Sequence, residues 1–509
     1  MAMKPAGKLT LIVLFFAVAF YIILLSPWSS LIIPQKVTPD LAPDVEKLAD
    51  AGTPVLNVAL NTWMGWAGGP YFNGGMNASK ESRFYKEEGL LVNFIVQDDI
   101  AASRAAWRKG DIDLLWVTTD AFTTEAKALI DEQPKQFMQV DWSRGGDAIV
   151  GTSEITGVAD LVGRKVACAV GAPSNSYLLA ACDAASITYS DITVIPVSDG
   201  IKAAELFKGG QVDAAVVWAP ADAECVKAIE GAKVISSTKT ATHIIADGFV
   251  VKEKYLDKHK DALIKFARGW LKANAEINSN GKNLDKAAAI LAAGFNVPAP
   301  DAKEGILNTR LTTYGDNRNF FNMDGNYKGI KGEDIYTKFS KLYSTINLAP
   351  SDNPVWRQVS TSEIIGAFQL AGPQHLAEGQ VEFKPPTEKE VTAPAFATKK
   401  ITVNFAFNSA VLTDQARSTI RVALGDVSNM FAGARVRVEG NTDNIGSAAS
   451  NRLLSHQRAQ SVVDFLITRY GFDPERFIVI GNGFDKPVGS NDTDAGRAMN
   501  RRTEFQILQ

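Results

Sequence analysis

The sequence predicts a multidomain protein built around an α/β region, with a smaller strand-and-helix unit after it and one apolar segment before it. Three observations carry this. At 509 residues the chain exceeds what one hydrophobic core ordinarily organises, so two or three domains are expected. From Val55 to about Ala371, short apolar or β-branched runs alternate with helix-like segments, the mark of α/β layers with mainly parallel strands. Near the C-terminus the alternating stretch Arg435-Val436-Arg437-Val438-Glu439-Gly440 precedes a helix pattern in which Leu454, Val462 and Leu466 form an apolar stripe.

The first element is the apolar run from Leu9 to Leu25, preceded by Lys4 and Lys8 and ended by Ser26-Pro27-Trp28. At about 1.5 Å per residue it reaches roughly 25 Å, the short limit for a membrane span. A cleaved signal peptide is the rival reading. No small-x-small site follows closely and no lipid-accepting cysteine is present, so residues 1–33 are expected to be a cytoplasmic tip and one uncleaved transmembrane anchor, with positive residues inside and the rest outside the cytoplasm. Residues 34–53 then read as a short linker.

Strands are expected at Val55 to Leu60, Val92 to Val96, Asp113 to Val117, Lys165 to Val170, Ile192 to Ile195 and Ala214 to Trp218, with helices such as Ile201 to Phe207 and Lys260 to Asn274 between them. The turn Gly110-Asp111-Ile112-Asp113 recurs as Gly210-Gln211-Val212-Asp213, which suggests two halves, although Gly and Asp are ordinary before a strand. The stretches Asp160 to Val166, Gly171 with Ser174-Asn175-Ser176, Gly210 to Pro220, and Ala246-Asp247-Gly248-Phe249 resemble the nitrate, sulfonate and taurine type of periplasmic substrate-binding protein. That resemblance implies a two-lobed periplasmic-binding-protein fold over residues 54–371, closing on a small ligand.

Open α/β lobes bind at the carboxyl ends of their strands, so the candidates are the residues just past each strand. These are Trp63, Thr118, Thr119, Ser174, Asn175, Ser176, Trp218 and Asp247. Ser174 to Ser176 open a helix, where amides and hydroxyls could hold an anion; Ser174 or Asn175 could equally be a plain helix cap. Trp63 and Trp218 could be aromatic walls or core. Asp247 could meet a ligand amine or cap a turn. An anion is one ligand this pattern allows, and no basic residue in the strand-exit motifs fixes its charge.

Residues 372–400 hold Pro373, Pro385, Pro386 and Pro394 with little periodicity and read as an extended linker. In the last unit Arg458 falls on the apolar helix stripe while Asp443 sits in the loop at the sheet edge. The two could simply pair. They could also grip a zwitterion, since a carboxylate binds an ammonium group and a guanidinium binds a carboxylate bidentately. From about Ile401 to Leu508 the chain resembles an OmpA-like peptidoglycan-binding domain, α+β in class. The resemblance rests on Phe405-Ala406-Phe407-Asn408-Ser409, taken as first strand and turn, Asn441 to Ser447, Asn451, Leu454, Ser455, Arg458 and Ala459, Gly481-Asn482-Gly483, and Asn500-Arg501-Arg502. It implies that Asp443 and Arg458 hold diaminopimelate of the peptidoglycan stem peptide, assisted by Asn451, with Asn408, Thr442, Leu454 and Arg501 around them. Asn441 stands where that family commonly has His.

Composition narrows the function. A formal charge of −3, from 53 basic and 56 acidic residues, argues against nucleic acid as a partner. Three cysteines, Cys168, Cys182 and Cys225, form neither a disulfide framework nor a metal-ligand spacing, and Cys168 lies in an apolar run. The four histidines show no metalloprotease motif, and no nucleophile elbow or phosphate loop is present, so neither an enzyme nor a cofactor is expected. The expected protein is a membrane-anchored periplasmic solute-binding protein tethered to peptidoglycan (residues 401–509), serving an ABC-type transporter or an envelope complex. A stator-like component is a second reading, weakened because Leu9 to Leu25 has no ionisable carboxylate or base. A purely structural envelope tether is the third.

Overall fold

The computed structural model describes residues 52–406 and 408–508. The expected membrane anchor and the linker before residue 52 lie outside the described residues. Among the described residues no helix is long and apolar enough to cross a membrane.

The first lobe begins with β1 (Val55–Leu60), β2 (Leu91–Val96), α1 (Ile100–Lys109), β3 (Leu115–Thr118) and β4 (Pro134–Ser143). The chain then crosses into the second lobe as β5 (Asp147–Gly151), β6 (Lys165–Ala169), α2 (Pro173–Ala184), β7 (Thr193–Val197), α3 (Gly200–Lys208), β8 (Ala214–Trp218) and β9 (Lys233–Ser237). It returns to the first lobe as β10 (Ala246–Lys252), the long α4 (Glu253–Ser279) and β11 (Thr309–Leu311), and α5 (Gly332–Thr345) follows.

The second lobe's sheet has the order β7-β6-β8-β5-β9. In the first lobe β1 and β2 pair in parallel, β11-β4-β10-β3 form a four-stranded sheet, and a parallel bridge from Val58 to Leu114 joins the two. Both lobes thus repeat one arrangement, in which the strand arriving from the other lobe, β10 or β5, is inserted beside β3 or β8. The inserted strands run antiparallel to their neighbours. The expectation of mainly parallel strands therefore holds only for β1 with β2 and for β6 with β7 and β8.

Two crossovers, residues 144–146 and 238–245, make the hinge. They are stitched together by Thr238, whose hydroxyl accepts from the amides of Gly145 at 2.8 Å and Asp147 at 3.2 Å and lies 3.1 Å from the Ser143 hydroxyl. Helix α5 spans both lobes. The Tyr343 hydroxyl meets Ser176 Oγ at 2.7 Å and the Ala172 carbonyl at 3.2 Å, and Lys338 Nζ sits 2.9 Å from Asp183.

The stretch expected to be an extended linker is partly structured. It carries a helical turn at Pro373–His375, a short helix at Glu388–Thr392 and the edge strand β12 (Ala395–Ile401), which pairs with the last strand. The first strand of the C-terminal unit is thus β12, and Phe405 and Asn408 lie after it. The unit continues as α6 (Asp414–Met430), β13 (Val436–Gly440), α7 (Ala448–Tyr470), β14 (Phe477–Gly481), α8 (Asp494–Asn500) and β15 (Thr503–Leu508), with sheet order β12-β15-β13-β14. It packs against the second lobe and the hinge: Lys399 reaches Asp183 at 2.8 Å, Gly433 donates to the Thr240 carbonyl at 3.1 Å, and His243 donates its amide to the Met430 carbonyl at 3.1 Å.

Candidate functional site

Two clusters of polar residues stand out, one at the hinge and one on the C-terminal unit. At the hinge, Thr118, Asp247 and Asp141 lie directly opposite one another across β3, β10 and β4. Cross-strand partners project from the same face of a sheet, so these three side chains form a row. Asp120 follows β3, and Asp147 opens β5 opposite Trp218. All four carboxyls are at most 4% exposed.

Their contacts are specific. The half-buried Trp63 donates its indole N–H to Asp141 Oδ2 at 2.9 Å, and an alanine Cβ at Gly65 would fall 1.2 Å from that oxygen, so only glycine leaves room for Asp141. Trp218 donates to Ser174 Oγ at 2.9 Å, and Ser174 in turn reaches Asp147 Oδ1 at 3.4 Å. Ser143 donates to Asp147 Oδ2 at 3.0 Å. Asp120 Oδ1 accepts from the Ala246 amide at 3.4 Å, while Asp120 Oδ2, Asp141 Oδ1 and Thr118 Oγ1 have no hydrogen-bond partner.

Burial dominates the acidities. It pushes Asp120 and Asp141 up to about 7 and Asp147 up to about 6, against the hydrogen bonds that favour the charged forms. Asp247 is pushed well up too, by burial and by the charge of the Asp141 carboxylate opposite it. Among the described residues none of the four forms an ion pair. Buried acids elsewhere do: Glu88 meets Arg268 and Lys272, and Asp183 meets Lys338 and Lys399.

Sequence reasoning named Trp63, Thr118, Ser174, Ser176, Trp218 and Asp247, and the structure brings these together. Thr119 and Asn175 are engaged elsewhere: Thr119 bonds Gln136 and the Ala246 carbonyl, and Asn175 bonds the Gly171 amide and the Tyr189 hydroxyl. The helix-cap alternative for Ser174 and Asn175 fails, because the N-cap of α2 is Ala172 with Pro173 in the first turn. Asp141 and Asp147 were missed. They sit in strands whose polar residues hide them from a search for apolar runs.

On the C-terminal unit, the buried positions of α7 are Asn451, Ser455, Ala459, Val462, Val463 and Leu466. Leu454 and Arg458 lie half-buried on the shoulder of that stripe rather than in it. The helix can lie close on the strand ends because Gly440 and Gly481 face each other; a Cβ at Gly440 would be 2.1 Å from the Ser455 carbonyl oxygen. Asn451 donates to the Ile445 carbonyl at 2.9 Å and shapes the loop.

Asp443 and Arg458 do not form a salt bridge. Asp443 pairs with the half-exposed Arg501 at 2.6 Å, while Arg458 donates from Nε to the Ser409 carbonyl at 3.0 Å and lies over the Phe405 ring at 5.0 Å. Partial burial pushes the Arg458 guanidinium below its ordinary range, with Asp443 pulling the other way. The Thr442 hydroxyl is buried without a partner beside them. Asn408 is exposed in a left-handed turn, φ 51°, one residue before Ser409.

Comparison with known proteins matches two stretches of the chain to two families. Residues 73–282 match the NMT1/THI5 like family and residues 404–501 match the OmpA family. The chain carries an NMT1/THI5-like domain followed by an OmpA domain. The OmpA domain is 34% identical over 108 residues to outer membrane porin F of Pseudomonas aeruginosa, covering 21% of this chain and 31% of the porin. It is 45% identical over 74 residues to the peptidoglycan-binding protein ArfA of Mycobacterium tuberculosis, covering 14% of this chain and 22% of ArfA. The chain thus spans less than a third of the length of these curated relatives. Among solved structures, the aliphatic sulphonate binding protein SsuA of Escherichia coli is 17% identical with a TM-score of 0.48, covering 62% of this chain and 99% of SsuA. The nitrate-binding protein NrtA of Synechocystis is 12% identical with a TM-score of 0.47, covering 63% of this chain and 90% of NrtA.

Proposed function

We propose that this protein is a periplasmic solute-binding protein held to the cell wall: the NMT1/THI5-like lobes take a small molecule at the hinge, and the OmpA domain grips the peptidoglycan stem peptide. The observation that carries the reading is one chain with two separate polar clusters holding unsatisfied groups, each where its domain type would bind. Asp120, Asp141 and Thr118 present orphaned oxygens at the hinge, and at the rim of the OmpA sheet the Thr442 hydroxyl is unpartnered beside Asp443, which pairs with Arg501, and Arg458, which bonds the Ser409 carbonyl. In this proposal Asp443 and Arg458 take the ammonium and carboxylate of diaminopimelate, Arg501 moves from Asp443 toward the ligand, and Asn451, Leu454 and Asn408 shape the rim. The protein binds and does not catalyse.

The apolar run from Leu9 to Leu25 anchors it in the inner membrane in this proposal, and an ABC-type transporter or envelope complex receives the ligand. The purely structural tether remains as a second reading. It draws support from α5 and the OmpA domain, which brace the second lobe through Asp183. Envelope fractionation tests the arrangement. Protein extracted from the inner membrane should begin near Met1 on N-terminal sequencing and should co-sediment with purified sacculi. A mature start after Ser30, or failure to sediment, contradicts it.

A further inference from the structure

From the row of orphaned acceptors at the hinge, we infer that the ligand of the cleft is an organic cation carrying a protonated primary amine, with Asp120, Asp141, Asp147 and Asp247 as its counter-charge. This rests on the binding-protein reading above and specifies its ligand class. Three observations support it.

First, the charge balance of the cleft is one-sided. Asp120, Asp141 and Asp247 come from the first lobe and Asp147 from the second, and among the described residues none is paired with a base. Burying a carboxylate without a partner is costly, and natural cores rarely accept it even once. The helix opening at Ser174, which could have held a ligand's anionic group, already faces the Asp147 carboxylate. A sulfonate or nitrate entering here would meet four acids and no cation.

Second, the unfilled capacity is acceptor capacity. Asp120 Oδ2, Asp141 Oδ1 and the Thr118 hydroxyl are buried and unpartnered. Thr118 and Asp141 lie on one face of the sheet through their shared register with Asp247. An ammonium group offers three N–H donors and no acceptor, which complements such a row; a quaternary ammonium offers none.

Third, each lobe contributes an indole beside the acids. Trp63 is tied to Asp141, and Trp218 is tied through Ser174 to Asp147. Both rings are half-buried. Aromatic faces next to carboxylates favour organic cations, because the ring quadrupole attracts the charge while the alkyl portion packs on the ring. No cluster of metal-ligating side chains is present among the described residues, so a bare divalent ion is a poorer fit than an amine.

The test is a thermal-shift and calorimetric titration of the full-length protein in detergent at pH 8 with putrescine, choline, ethanesulfonate and nitrate. Putrescine should raise the melting temperature by several degrees, and the two anions should not. Asp120→Asn combined with Asp141→Asn should remove the putrescine shift while leaving the unliganded protein at least as stable as wild type, because the change deletes buried charge without changing shape. Choline matching putrescine would overturn the argument from N–H donors. Should an anion give the shift, and Trp63→Ala with Trp218→Ala abolish it, the cation is wrong and the cleft is right. If no probe shifts the protein, or a shift survives both sets of substitutions, the cleft reading itself fails and this inference falls with it.

Discussion

Asp443→Ala and Arg458→Ala should each release the full-length protein from sacculi, with an expected loss of about 2–5 kcal/mol of binding, because one charge of the zwitterion would then be left buried without its partner. The two positions differ in what the free protein loses. Removing Asp443 frees Arg501 from a 2.6 Å ion pair that is largely exposed on the arginine side, which costs little stability. Removing Arg458 takes away a hydrogen bond to the Ser409 carbonyl and the contact with Phe405, so some destabilisation accompanies the binding loss. Sedimentation with sacculi, read beside the melting temperature, separates the effects. A conservative Arg458→Lys keeps the charge but not the planar fork, and it should restore only part of the affinity. Retention of both alanine variants on sacculi would exclude this pair as the grip.

The second large effect is on pH dependence. Asp120 is raised from its ordinary 3.8 to about 7 in the folded protein, which at about 1.4 kcal/mol per pKa unit corresponds to about 4 kcal/mol of stability. The sign follows from proton counting. Between these two values the folded protein holds the proton and the unfolded chain does not, so this stability is present at pH 4 and is lost as pH rises through 7. Asp141 and Asp147 act in the same direction. The groups around them do not offset this. Ser176 and Tyr343 face Asp120, while Tyr177 and Cys168 lie near Asp147, the phenols and the thiol being held neutral by burial. His243, pushed down to about 3, works in the opposite direction below its ordinary 6.5. The informative quantity is therefore the difference between wild type and Asp120→Asn. The variant's melting temperature should gain on wild type from pH 5 to about pH 7 and level off above that, and a gap independent of pH would contradict the burial of an unpaired Asp120.

Much of the fold was legible in the sequence, and the reason for the rest is physical. The six runs of apolar and β-branched residues correspond to β1, β2, β3, β6, β7 and β8; all but β7 are buried at most positions and leave an apolar signature, while β7 is a partly exposed edge strand legible through Val194, Ile195 and Val197. The inserted strand β10 was seen only as the motif around Asp247. β4 escaped because Gln136, Gln139 and Asp141 lie inside it, and β5 because it opens with Asp147; both are buried at every or nearly every position despite these polar residues. Two of those exceptions, Asp141 and Asp147, belong to the acidic cluster at the hinge. On the OmpA domain, motif spacing located Asp443 and Arg458, but not which partner each would take. Helical periodicity placed Arg458 in the buried stripe, whereas one position of rotation puts it on the shoulder, where a ligand can reach it. Arg501 was identified through the resemblance; that it meets Asp443 depends on the turn after α8, which no local pattern encodes.

The central claim is that one molecule holds the cell wall and a small cation at once, and co-sedimentation of labelled putrescine with sacculi measures this directly. With the full-length protein present, the account predicts that about one label per protein pellets with the sacculi above the background of sacculi alone. The label should stay in the supernatant with Asp120→Asn combined with Asp141→Asn, although that protein still pellets, and both protein and label should stay there with Asp443→Ala. Wild-type protein that pellets with no more label than the double variant would contradict the account.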